Sequence, residues 1–286
     1  MTMPPIDFVQ AAERALLYEV TVNPKPGLVD PVSNGAHQDM DVYTFLDSAA
    51  SLLPYLTTAV ALAEQFDTSR DLTELFEELR KAGIVAEKAM FTATKGVNTH
   101  KGAVFSLGIL VCATAYLAQH AQPMTSEKVS QTVQAMLQGL SEHDFARLAE
   151  KPEIELTAGE RQFLKYGATG IRGQAEAGFP VVMEFALPYF ATTTGDMNGR
   201  LLDTLMMISR ETEDSNLIKR AGTIDILPWW RGQVDAYFTM GGSKTEEGLN
   251  YAKTLNEICI EKNLSLGGSA DLLILTVYMA IVTDVL

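Results

Sequence analysis

The 286-residue chain is short of positive charge, cysteine and histidine, and each shortage removes a class of function. Against 36 Asp and Glu stand 22 Lys and Arg, a formal net charge of −14 at pH 7, and no basic block is longer than a pair. Neutralising a nucleic-acid backbone or an anionic membrane surface takes a basic face, so neither partner is expected. The two cysteines, Cys112 and Cys259, are too few for a disulfide framework and lack zinc spacing; both read as buried thiols of a cytoplasmic protein. His120 and His143 have no ligand partner at a helical offset and read as surface or core residues. A Gly-x-Ser-x-Gly elbow, a dinucleotide fingerprint and a Walker P-loop are also missing. The first residues hold no basic stretch followed by an apolar run, so no secretory signal is expected.

Period-two alternation is absent over any useful length, whereas apolar residues recur at helical spacing nearly everywhere. The expected fold is therefore all-α, one multi-helix domain over residues 1–286, and 47% hydrophobic residues supply its core. Phe8 to Val20 reads as a first helix capped by Asp7, and a second starts near Asp41 to Thr44, where Pro54 should kink or split it. The most apolar run, Gly102 to Gln119, carries Ser106, Gly108, Thr114 and Tyr116 between Lys101 and His120, which suits a central helix buried on all sides better than a membrane span. Val129 to Leu148 follows, then a polar connector at Lys151 to Thr157. Later helices are expected near Ala158 to Tyr166, Val181 to Phe190, Gly199 to Ser209, Ile224 to Met240, Ser243 to Asn263 and Ser269 to Leu286. Trp229 and Trp230 read as packing residues.

Unusual polar residues gather at loops and helix starts, where sites are normally built. In Gly35-Ala36-His37-Gln38-Asp39-Met40-Asp41 an extended backbone would turn His37, Asp39 and Asp41 to one side. That set suits a divalent cation such as Mg²⁺, or else Asp41 or Thr44 simply caps the next helix, with Thr44 and Asp47 as a variant capping box. Lys25, between two prolines, reads more readily as a solvated lysine than as a ligand. Lys95 to Gly102, just before the apolar helix, adds Lys95 and Lys101 to a helix N-terminus, a phosphate-binding arrangement; the plainer reading makes Thr99 an N-cap. Gly170 to Pro180 presents Arg172 and Glu176, taken alone a glycine-rich turn with incidental charges. Asp214 to Arg220 would set Asn216, Lys219 and Arg220 on one helical face, for a ligand or for surface ion pairs. Gly267-Gly268-Ser269-Ala270-Asp271 opens the last helix with Ser269 as its expected cap.

In this order, Pro24-Lys25-Pro26-Gly27-Leu28-Val29-Asp30 with Gly35 to Asp41, Gly96 to Gly102, Arg172-Gly173 with Gly178-Phe179-Pro180, Asp214 to Arg220 and Gly267 to Asp271 resemble the triphosphoribosyl-dephospho-CoA synthase family. The likeness covers essentially the whole chain and is closer, through Gly35-Ala36-His37, to the citrate lyase branch than to the malonate decarboxylase one. Two positions depart from the family pattern: Leu266 stands where Pro is usual, and Gln174 where Glu is usual, which makes Glu176 the better acidic candidate.

The resemblance implies that ATP and 3'-dephospho-CoA give 2'-(5''-triphosphoribosyl)-3'-dephospho-CoA and adenine. The product would pass to the enzyme that modifies the citrate lyase acyl carrier subunit. It also implies site roles: a divalent cation on Asp39, Asp41, Asp214 and Asp271; phosphate contacts from Lys25, Lys101, Arg172, Asn216, Lys219, Arg220, Gly267, Gly268 and Ser269; and proton or leaving-group chemistry at His37, Asn98, His100 and Glu176. Rival readings are a metal-dependent ADP-ribosyl or nucleotide hydrolase and a non-enzymatic helical adaptor.

Overall fold

The computed structural model describes residues 6–145, 148, 154, 156 and 158–286. Most of the connector at 151–157 and the side chain of His143 lie outside them. Among the described residues there is no strand, as the helical spacing predicts.

Helix α1 (Phe8–Thr21) starts at Asp7, whose carboxylate accepts from the Gln10 amide at 2.9 Å. A long loop leads to α2 (Val42–Gln65), capped by a reciprocal Asp41–Thr44 box. Helix α2 is not split at Pro54. It packs along its length on α1, on α3 (Leu72–Ala93) and on α4 (Lys101–Gln119), and that burial outweighs one lost backbone hydrogen bond. Then come α5 (Ser126–Met136) and α6 (Leu140–Phe145), separated at Gly139, whose φ of +78° ends the expected single helix.

The second half holds α7 (Ala158–Tyr166), α8 (Gly170–Glu176), a π-helical stretch Val181–Ala186 that continues as α9 (Leu187–Thr192), α10 (Met197–Glu211), α11 (Ser215–Ala221), α12 (Ile226–Thr239), α13 (Glu246–Glu261) and α14 (Gly267–Val282). Where a turn is the plainer reading of Gly170 to Pro180, α8 forms. The helix expected from Ser243 begins only at Glu246 behind a 3₁₀ turn at Gly242–Lys244, with Thr245 as its cap.

Two helices organise the rest. Helix α4 and helix α14 are apolar on every side, so each has to be enclosed. Helices α1, α2, α3 and α5 surround α4, while α1, α9, α10 and α11 surround α14, and the two touch each other. One continuous apolar core runs from Ala11 to Val282. By length and composition α2 and α4 could each cross a membrane, but 72% of the apolar window of α4 is buried inside the protein. Cys112 and Cys259 are buried free thiols.

The α2–α4 contact depends on Gly108, because a methyl group there would fall 1.9 Å from the Tyr55 hydroxyl. That hydroxyl donates to the Val104 carbonyl at 3.0 Å and belongs to a buried ring, so making room would break that bond. Gly108→Ala should therefore destabilise the fold by about 1–3 kcal/mol, the usual cost of overpacking, read as a lowered urea midpoint with an unchanged slope.

Candidate active site

The starts of α4 and α14 lie side by side. A methyl group on Gly102 would come 1.9 Å from Asp271 Oδ2, and the Asp271 carboxylate accepts from the Ala103 amide. Glycine at 102 is what lets the second helix's carboxylate rest on the first helix's N-terminal turn. Both positive helix ends thus open into one cavity of about 950 Å³, near the upper limit for a small-molecule pocket.

The cavity collects segments far apart in sequence: the loop around Lys25 to Met40, one face of α3, Asn98 to Phe105, the α8 region, Glu211 to Arg220, and Ser265 to Ile274. His37, Asn98, His100, Lys25, Lys101, Arg172, Asn216, Lys219, Arg220, Gly267, Gly268, Asp214 and Asp271 all line it.

Lys25 is not solvated, contrary to expectation. It is 1% exposed, and its ammonium donates to the Glu19 carbonyl at 2.7 Å and to the Glu19 carboxylate. Glu19 also lines the cavity, and the sequence reading missed it. Its signal was present: Ala12, Ala15, Leu16 and Glu19 form one helical stripe, so a charged residue occupies an apolar register position.

Arg220 donates to the Ala36 carbonyl at 2.8 Å, to Asn263 Oδ1 at 2.7 Å and to His37 Nδ1 at 3.1 Å. Because arginine only donates, His37 Nδ1 is an acceptor, and Nε2–H is left to donate to Ser265 Oγ at 3.1 Å. Burial first, then the Arg220 charge, lowers the His37 pKa to about 4, with Asp39 opposing. His37 is thus a neutral ring with both nitrogens engaged.

His100 is 2% exposed and precedes α4. Thr99 does not cap that helix; its hydroxyl donates to Ser48 Oγ at 2.7 Å. Ser48 Oγ lies 2.7 Å from His100 Nδ1, while His100 Nε2 is buried with no hydrogen-bond partner. Burial, then the Lys25 charge, pushes the His100 pKa down to about 3.

Asp214 is fully buried and holds the site together. Its Oδ1 accepts from the amides of Asn216, Leu217 and Gly268, and its Oδ2 from the Ser269 amide and hydroxyl. One carboxylate therefore caps α11 and clasps the first turn of α14. Ser269 is not the cap of α14, since Leu266 holds that place, and its hydroxyl is committed to Asp214 instead of a ligand.

Four expected site residues lie outside the lining: Ser269, held by Asp214, and Asp39, Asp41 and Glu176. Asp39 is exposed on its loop, and Asp41 is bound into the α2 capping box, which holds its carboxyl below the ordinary range. Glu176 accepts from the Ser141 amide at 3.2 Å and ties α8 to the start of α6, whereas Gln174, set aside on the sequence, lines the cavity. Lys101 stands at the rim, paired with Glu87 at 2.6 Å.

Among the described residues no three His, Cys, Asp or Glu side chains gather as a metal-holding group, so the four aspartates do not form one ligand set. Asp214 has its oxygens filled by five donors. Asp271 is the aspartate that faces the cavity with capacity to spare. Burial, then Glu19 and Asp214, raises its pKa well above the usual carboxylate range. An added cation would relieve that crowding of carboxylates.

A cation-rimmed cavity fed by two helix N-termini, walled by neutral imidazoles and a crowded carboxylate, defines an all-helical enzyme that handles phosphorylated small molecules. A family model described as ATP:dephospho-CoA triphosphoribosyl transferase matches residues 6–285, and the chain belongs to that family. A probable 2-(5''-triphosphoribosyl)-3'-dephosphocoenzyme-A synthase of Lactiplantibacillus plantarum is 53% identical over 278 residues, covering 97% of this chain and 98% of the relative. Protein CitXG of Leuconostoc mesenteroides subsp. cremoris is 50% identical over 275 residues, 95% of this chain but 58% of that relative. A probable synthase of the first kind from Streptococcus equi subsp. zooepidemicus is 42% identical over 287 residues, 96% of both chains. No solved structure matches.

Two outcomes follow from these burials. Lys25→Met strands the Glu19 carboxylate and should cost about 3–5 kcal/mol in urea unfolding, and Glu19→Gln added to it should recover much of that loss. His100 should remain neutral at pH 5 in an NMR titration. Since its folded pKa of about 3 lies below the ordinary 6.5, the unfolded chain takes up the proton first, and His100 removes stability as pH falls through that window.

Proposed function

We propose that the cavity binds ATP and 3'-dephospho-CoA together and transfers the triphosphoribosyl group to the 2'-hydroxyl, releasing adenine. The observation that carries this reading is the convergence of Arg172, Lys219, Arg220 and the α4 and α14 N-termini on one cavity beside the buried donor-acceptor ring of His100. The reaction breaks the ribose C1'–N9 bond and leaves the phosphoanhydrides intact, through a transition state of oxocarbenium character. The cations and helix ends hold the triphosphate, which fixes C1' in place and keeps the phosphates from being the reacting centre. His100 hydrogen-bonds the departing base. The 2'-hydroxyl proton goes to the Glu19 carboxylate, because both His37 nitrogens are already engaged and Asp271 faces the cation, and adenine takes up one proton as it leaves. Asn98, exposed at the mouth, contacts the acceptor side.

Mg²⁺ would enter with the triphosphate and be held by Asp271, supplying charge neutralisation through one carboxylate and the phosphates. Asp41 and Asp214 have other duties, and Asp39 lies exposed outside the lining. The hydrolase reading is not favoured by the family. We infer that the product serves the citrate lyase acyl carrier subunit in the cytoplasm, the branch that Gly35-Ala36-His37 resembles, with the malonate decarboxylase system as the other destination.

Protein incubated with ATP, MgCl₂ and dephospho-CoA should give free adenine and a coupled product in equal amounts by mass spectrometry, and no adenine without dephospho-CoA. Asp271→Asn should lower the rate roughly 10²-fold or more and raise the Mg²⁺ needed, as loss of a charge-stabilising contact does, while Asp39→Asn stays within about twofold of the parent. Adenine release without acceptor would sink the transferase reading in favour of a hydrolase.

A further inference from the structure

His100 Nε2 is a polar atom sealed in the cavity wall with no partner, and what it can do depends on whether it carries a hydrogen. The surrounding hydroxyls decide this. Thr99 donates its proton to Ser48 Oγ at 2.7 Å, so the Ser48 oxygen is already an acceptor. Among the described residues the acceptor in reach of the Ser48 proton is His100 Nδ1, at 2.7 Å. A ring nitrogen that accepts at Nδ1 in a neutral imidazole must carry its hydrogen on Nε2. The ring is further held by Phe45, which meets it edge to face at a centroid distance of 5.0 Å. Ser48 is completely buried in α2 and does not line the cavity, so it acts through the ring and not on a ligand.

We propose that Thr99 and Ser48 are positioning residues that lock His100 as a neutral Nε2–H donor in the cavity wall, and that this donor serves an acceptor nitrogen on the leaving purine. The relay rests on the adenine-releasing reading of the cavity only in its second half. Its first half is a property of the empty protein. A donor of fixed direction in a water-poor wall fits a leaving base better than a titrating imidazole, because it gains most as electron density builds on the purine nitrogens when the C1'–N9 bond lengthens. The position of Ser48 in sequence, in the first turns of a helix and 52 residues before the ring it orients, hides it from any local motif.

The test uses full-length protein with ¹⁵N-labelled histidine, in which long-range ¹H–¹⁵N correlations report which His100 nitrogen carries hydrogen. Wild type should show Nε2 as the protonated nitrogen and Nδ1 as a hydrogen-bonded acceptor. Ser48→Ala should move the Nδ1 resonance away from that bonded position and lower kcat by about 10-fold, with KM for ATP within about twofold. Thr99→Val should shift both readouts in the same direction, and Thr99→Ser, which keeps the hydroxyl, should restore them. Hydrogen on Nδ1 in wild type would overturn the relay, as would a Ser48→Ala protein with both the Nδ1 resonance and kcat unchanged. An Nε2–H tautomer in a protein that releases no adenine would support the relay and overturn the function assigned to the cavity.

Discussion

The whole arrangement depends on one close approach, that of the Asp271 carboxylate to the N-terminal turn of α4 at Gly102. Two helices that are apolar all round can be buried side by side without chemical consequence along their length, but their ends cannot. Each start leaves backbone N–H groups without intrahelical partners, and here both sets open on the same side. Asp271 answers part of that need by accepting from Ala103, and Asp214 answers more by accepting from Gly268 and Ser269. The remaining unsatisfied donors face a cavity. A side chain larger than hydrogen at position 102 would separate the two helix ends and undo the pocket at its base.

Around that junction the protein balances charge at short range in a molecule whose total is −14. Glu19 is matched by Lys25, and the Arg220 fork is anchored on Ala36, Asn263 and His37. The titratable groups record what is left over. Both cavity histidines are pushed toward neutrality by burial and a neighbouring cation, whereas Asp271 is pushed toward protonation by burial and neighbouring carboxylates. The Arg220 guanidinium, anchored on neutral acceptors, and the crowded Asp271 carboxylate are therefore each short of counter-charge in one cavity. A phosphate chain accompanied by a divalent cation supplies both signs at once, which is why an acidic protein can be built to hold polyphosphates.

The helices were legible because burial on one side, or on all sides, writes a 3.6-residue spacing into the chain, as in Phe8 to Val20 and Gly102 to Gln119. The loops that carry the site were legible because glycine, proline and charged residues cluster there. What the sequence could not show is which polar groups already have partners. Thr99 and Ser269 have the composition of helix caps, yet Ser48 and Asp214 take their hydroxyl groups across 51 and 55 residues of sequence separation. Glu176 and Gln174 differ by half a helical turn, and only the packing of α8 on α6 decides that the amide, and not the carboxylate, faces the cavity. Glu19 was missed for the opposite reason: it lies in a regular helix, where attention to loops does not look.

The two Gly-Gly-Ser segments, Gly241 to Ser243 and Gly267 to Ser269, show why local chemistry does not by itself define a site. Ser243 gives its amide and hydroxyl to Asp203 at 2.8 Å each, just as Ser269 gives its amide and hydroxyl to Asp214 at 2.7 and 2.8 Å. The first clasp is completed by the Tyr237 hydroxyl donating to Asp203 at 2.6 Å, and it fastens a 3₁₀ turn to α10 and α12. No residue of it borders the cavity. The second clasp uses the same carboxylate-serine pairing, but the helix it starts is α14, whose first turn lies against the first turn of α4. The functional difference comes from that neighbour: a clasped turn packed against protein is finished structure, and a clasped turn beside a second open helix end is one wall of a binding site.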